Sequence, residues 1–158
     1  MESGLLITHE GFEQLKEELE RLKSVQRKEV AERIRESKQF GEFLENSEYE
    51  EAKAEQAFVE GRIIELQRIL QNAVVVEDPS RNANAVGVGT RVRLKDRKSG
   101  REAEYLVVGP VEADPAQNKI SYQSPVGEAI YGKKKGAVVE VRAPAGNSEY
   151  VIVALANG

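Results

Sequence analysis

The chain of 158 residues has no cysteine, no tryptophan and a single histidine. Without cysteine there is no disulfide framework, no thiolate zinc site and no iron–sulfur cluster, and a small secreted scaffold is excluded with them. One imidazole, His9, leaves little for histidine-based catalysis or metal binding, and its place just after a predicted helix cap makes it a surface residue. Long apolar runs are missing as well. No stretch approaches the roughly 20 residues that a membrane-spanning helix needs. The opening MESGLLITHEGF has an acidic second residue, no basic segment and only a short apolar run, so it does not read as a secretory signal. A soluble cytoplasmic protein with no membrane partner is expected.

What is abundant is charge, at 32% of residues, and it is unevenly divided. Residues 1–78 carry 11 Lys and Arg against 19 Asp and Glu, net −8, whereas residues 79–158 carry 12 against 8, net +4. The halves have different electrostatic characters. The first is rich in Glu, Lys, Arg, Leu and Ala, the composition of long solvated helices without a large core.

Periodicity supports this division. Thr8 is a plausible N-cap, and Phe12, Leu15, Leu19 and Leu22 follow at heptad spacing before the stripe loosens through Val25, Val30 and Ile34. A second seam, Ala52, Gln56, Val59, Ile63, Leu66, Leu70 and Ala73, alternates four and three throughout, with one polar member. Gly41 can end the first helix and Ser47–Glu50 can form a capping box for the second. The short connection predicts an antiparallel hairpin whose arms, at about 1.5 Å per residue, reach about 40–45 Å. Its turn is the tip of a long prong.

Asp78–Pro79 and the polar loop after them break the helical period and mark a domain boundary. Short β-type runs follow at 90–96, 101–109, 118–124, 137–143 and 149–155, with one helical piece at 125–132. The expected fold is α+β: a coiled-coil hairpin over residues 1–78, then a small, mainly antiparallel sheet domain with one short helix over 79–158.

The acidic block lies at the turn: Glu42, Glu45, Glu48, Glu50 and Glu51, followed by Lys53. Glu42 and Glu45, three apart, share a face if the tip is partly helical. Two carboxylates suit partial coordination of Mg²⁺, which takes oxygen ligands together with phosphate and water. A free tip lacks the enclosing ligands, so this chemistry requires insertion into another macromolecule's site. On charge pattern alone, capping and solvation explain the block better than metal chemistry does, and Glu48, Glu50 and Glu51 fit them best, beside the positive end of the second helix.

Three motifs go further. GEFLENSEYEEAKAEQAFVEGRI (41–63), LITHEGFEQLKEELERLK (6–23) and SYQSPVGEAIYGKKKG (121–136) resemble, in order and over nearly the whole chain, the bacterial Gre family of transcript-cleavage factors, its GreA branch more than its GreB branch. The resemblance implies a coiled coil followed by a domain similar to FKBP-type prolyl isomerases. It implies binding of RNA polymerase at the rim of the secondary channel, formed by the largest subunit, by a monomer that is not itself an enzyme. The prong would stimulate the polymerase's cleavage of backtracked RNA. Glu42 and Glu45 would assist the Mg²⁺ of the polymerase, with no cofactor in the free protein, while Asn46, Ser47 and Tyr49 shape the tip. Lys38 and Lys53 match a basic patch that contacts the nascent RNA 3′ end, although ordinary solubilising lysines fit the same positions. Ser124 and Pro125 match the polymerase-contacting loop, and Ser-Pro also simply suits a helix start. The first tip acid is usually Asp, and Glu42 reaches one methylene further. That change motivates an alternative, a homologue that occupies the channel and modulates transcription. A prolyl isomerase or chaperone, and a coiled coil serving only for dimerisation, are the readings from other classes.

Overall fold

The computed structural model describes residues 4–39, 47–76 and 84–157. It forms two compact units, one spanning Phe12–Asn72 and the other joining the residues up to Gly11 with those from Ala73 onward. Compactness thus groups the first eleven residues with the sheet-bearing part, where the linear boundary at 78/79 had left them with the prong.

The helical unit is two arms. The first comprises α1 (His9–Arg21), a π-helical turn at Leu22–Gln26 and α2 (Arg27–Lys38); the second is the single helix α3 (Ser47–Asn72). Thr8 caps α1 as expected, its hydroxyl accepting from the Gly11 N–H at 3.0 Å. Leu22, Val30, Val59, Ile63 and Leu66 form the buried seam, flanked by Leu15, Leu19 and Ile34. The α3 seam is the one its heptad spacing predicts as far as Leu70, whereas Ala73, its expected last member, opens a strand instead. The first-arm seam differs, because Val25, part of the expected stripe, is 45% exposed. The π turn carries the reason. It holds one residue more per turn than an α-helix, so Val25 rotates outward and the seam passes instead through half-buried Gln26 to Val30. Ser24 donates back to the Glu20 carbonyl at 2.7 Å, a bond typical of locally bent helices.

The second unit has a five-stranded sheet of β3 (Thr90–Asp96), β4 (Glu102–Val108), β5 (Lys119–Ser121), β6 (Val138–Ala143) and β7 (Gly146–Asn157), in the order β5-β4-β3-β7-β6. Alternation places Thr90, Val92 and Leu94 inside and Arg91, Arg93 and Lys95 outside, as a half-buried strand requires. Short α4 (Pro125–Ile130) completes a core of Val86, Val92, Leu94, Val107, Ile130, Val139 and Ile152. The sheet is mainly antiparallel, as expected, with one parallel pair at its edge: β5 runs parallel to β4. Two 3₁₀ turns, Pro110–Glu112 and Pro115–Gln117, carry the chain between them. A hairpin turn would have reversed the strand.

A separate pair also escaped the sequence pattern. β1 (Leu5–Thr8) lies parallel to β2 (Ala73–Val76), Leu5 opposite Ala73 and Thr8 opposite Val76. Parallel partners need a long crossover, and here the whole helical hairpin supplies it.

Candidate functional site

The prong's two arms are held to each other from within the chain. Arg62 of α3 forks onto Glu18 of α1 through Nε and Nη2, at 2.7 and 2.9 Å. Arg27 of α2 forks onto Glu60 at 2.8 and 2.7 Å, and Arg33 pairs with Glu55. The bidentate geometry fixes register beyond what single point charges would. Its bonds raise the Arg27 guanidinium and lower the Glu60 carboxyl from their ordinary values, and the bond to Glu18 raises Arg62. An antiparallel hairpin whose seam and charges are satisfied internally is the arrangement observed, as the short turn predicted.

At the tip end, Lys38 closes α2 as an exposed residue in its last turn and Ser47 opens α3. Glu42, Glu45 and Asn46 lie outside the described residues. Tyr49 is half-buried one turn before Lys53, whose ammonium donates to Gln56 at 3.1 Å and so covers the one polar position of the seam. Glu48 and Glu50 occupy the first turn of α3, where carboxylates meet the positive helix end. Below them a cleft of about 180 Å³ is lined by Arg33, Glu36, Ser37, Glu48 and Glu51. Among the described residues no group of three or more acidic or imidazole side chains is placed to hold a metal ion.

The second candidate locus is Ser124–Pro125. Ser124 caps α4: its Oγ accepts from the Gly127 N–H at 3.1 Å and donates to the Ser121 carbonyl at 2.7 Å. Pro125 occupies the first helical position and is exposed. The local role of the pair is therefore to start the helix, and the Tyr122 and Tyr131 rings that flank it meet at 5.8 Å between centroids.

Against this geometry, the N-terminal model for transcription elongation factors matches residues 5–75, and the C-terminal GreA/GreB model matches residues 81–157. The chain belongs to the GreA/GreB family of transcription elongation factors. It is similar to the transcription elongation factor GreA of Clostridium botulinum (strain Hall), 51% identical over 148 residues that cover 94% of this chain and 92% of the relative. The GreA of Clostridium kluyveri is 49% identical over 96% of this chain and 97% of its own. Among solved structures, GreA factor homolog 1 of Thermus thermophilus shares 33% identity over 98% of this chain and 99% of its own, with a TM-score of 0.44.

One Gre-chain feature had no counterpart in the sequence reading. The Glu112 carboxylate accepts from the Thr8 N–H at 3.0 Å, from the Thr8 hydroxyl and from the Gly109 N–H at 3.0 Å. In a capping box a glutamate three residues after the cap reaches back to the cap N–H. Here that position is Gly11, and Glu112 performs the task from a distant turn. The signal was present in part: Thr8-x-x-Gly11 is a cap without its own box residue.

Proposed function

We infer that this GreA/GreB-family chain enters the secondary channel of RNA polymerase tip first and stimulates the polymerase's own cleavage of backtracked RNA. The observation that supports the reading is the prong itself, two arms joined by a continuous seam and three inter-arm ion pairs, with Lys38 closing one arm and Ser47 opening the other. The chain contributes carboxylates and the polymerase remains the enzyme. Two tip carboxylates, Glu42 and Glu45, match the small number of protein oxygens that Mg²⁺ accepts beside phosphate and water. The metal of the polymerase would activate a water and stabilise the leaving oxygen. Glu42 and Glu45 would orient that water's surroundings, while Lys38 and Lys53 would neutralise RNA phosphates without reading sequence. Ser124 and Pro125, on the exposed start of α4, are the proposed contacts with the channel rim.

The isomerase reading gains no support from the described residues of this unit: Tyr105, Tyr122 and Tyr150 pack against the core, and a cleft of about 650 Å³ is lined by the charged and polar Asp96, Arg97, Lys98, Glu140, Asn147, Ser148 and Glu149.

Halted, backtracked elongation complexes test the proposal. Glu45→Ala is expected to bind polymerase as before and to lose cleavage by on the order of 10²-fold, the scale of removing one group that stabilises developing charge. If the wild-type factor binds but leaves the 3′ RNA at its intrinsic rate of shortening, the channel-occupying alternative takes its place.

A further inference from the structure

The five-stranded sheet has one covered edge and one open edge. β5 is only three residues long, and Lys119 exchanges backbone hydrogen bonds with Asp114, which covers its start. At the other edge β6 is six residues long, and its pairing with β7 runs from Val138–Val151 to Ala143–Gly146 without a register shift. The Ala137 carbonyl accepts from the Ile152 N–H on the β7 side at 2.9 Å. Antiparallel alternation therefore turns the N–H and C=O groups of Val139, Val141 and Ala143 toward β7, and those of Val138, Glu140 and Arg142 away from it. No described residue bonds to these outward backbone groups.

An open edge is a template for another strand, and proteins blunt it with bulges, prolines or repelling charge. β6 contains no bulge and no proline, and its two charges are of opposite sign. Val138, Glu140 and Arg142 are exposed on one face of the sheet, Val138 at 52%, while Val139 and Val141 are buried on the other. Glu140 and Arg142 hold each other only loosely, with Nε to Oε1 at 3.6 Å.

The strand that fits this edge is β6 itself. With two copies antiparallel about a two-fold axis at Val141, Glu140 lies opposite the partner's Arg142 and Arg142 opposite the partner's Glu140. All four turn their backbone groups outward, so each pair also exchanges two hydrogen bonds, four in all. Val138 then comes opposite the partner's Pro144, apolar against apolar. Pro144 has no N–H to give, so the ladder ends there. The neighbouring registers that keep the hydrogen bonds set Glu140 against the partner's Glu140 or Arg142 against the partner's Arg142, and both repel.

We propose that β6 is a self-association edge through which two copies of this chain join their sheets into one. The two-fold axis makes the contact isologous and closed, so it stops at a dimer. A single strand pair is a small interface, and the dimer is weak, with Kd on the order of 0.1–1 mM. The monomer implied by the family resemblance is its dilute form. The proposal stands independently of the transcript-cleavage reading.

Sedimentation of the full chain up to about 1 mM, the upper end of that Kd range, tests it. The wild type should pass from monomer toward dimer. Glu140→Arg and Arg142→Glu each set like charges opposite one another twice, and each alone should associate at least about 10-fold more weakly. Mixed in equal amounts, the two variants should recover wild-type association, because every Arg of one then faces a Glu of the other. In the wild type, the Glu140 and Arg142 amides should gain protection from hydrogen exchange as concentration rises. A wild type that stays monomeric at about 1 mM overturns the proposal. So does a dimer that both variants retain, a mixture that stays monomeric, or exchange at Glu140 and Arg142 that ignores concentration.

Discussion

Exchanging Gly11 for alanine should have opposite effects depending on one distant carboxylate. Gly11 is in the first turn of α1, where alanine is intrinsically the better helix former by about 1 kcal/mol. A Cβ there would lie 1.9 Å from Glu112 Oε1, and the three nearest atoms it meets all belong to the Glu112 side chain. The carboxylate must then swing away. Doing so abandons the Thr8 N–H, the Thr8 hydroxyl and the Gly109 N–H, which are partly buried. Hydrogen bonds to a charged group contribute about 1.5–3 kcal/mol each, and stranded buried donors add to the loss, although water reaches some of them. A net loss of about 3 kcal/mol against a gain of about 1 leaves Gly11→Ala destabilising by about 2 kcal/mol.

With Glu112→Ala already made, the obstacle and the acceptor are both gone. Gly11→Ala should then stabilise by about 1 kcal/mol, so the coupling between the two sites is about 3 kcal/mol. Denaturation followed by near-ultraviolet circular dichroism suits the measurement, because four of the five tyrosines, Tyr105, Tyr122, Tyr131 and Tyr150, belong to this unit. Effects that add to within about 0.5 kcal/mol would show that Gly11 and Glu112 do not meet, and the long-range capping box would be refuted.

Two further outcomes follow from the prong. Glu60, with its carboxyl lowered by the bonds from Arg27, should support the hairpin fully above the ordinary glutamate value of 4.5 and lose that support as pH falls through its lower folded value; acid titration of helicity should therefore flatten in Glu60→Gln, and an unchanged acid limb would count against the pair. Leu66, fully buried in the seam, should cost about 2–5 kcal/mol on truncation to alanine, whereas Phe58, 71% exposed on the same helix, should change stability by less than about 0.5 kcal/mol in urea melts.

What could be read from the sequence was what repeats over short distances. The α3 seam, the Thr8 cap and the alternation of β3 each follow from neighbours within a few residues, and each stands as expected. Contacts that join remote segments left no such trace: Glu112 meets Thr8 across 104 positions, and β1 pairs with β2 although the whole hairpin separates them in sequence. The first-arm seam is the instructive intermediate case. Its loosening after Leu22 was visible, but a loose stripe is compatible with weak packing or with a change in helical pitch, and periodicity read at a fixed 3.6 residues per turn cannot separate them. Burial does: Val25 is outside and Val30 inside, so the pitch changes and the packing does not weaken. Residues 40–46 have no period to read, and the assignment of Glu42 and Glu45 comes from family likeness, so removing charge there, as in Glu45→Ala, tests chemistry that periodicity could not have supplied.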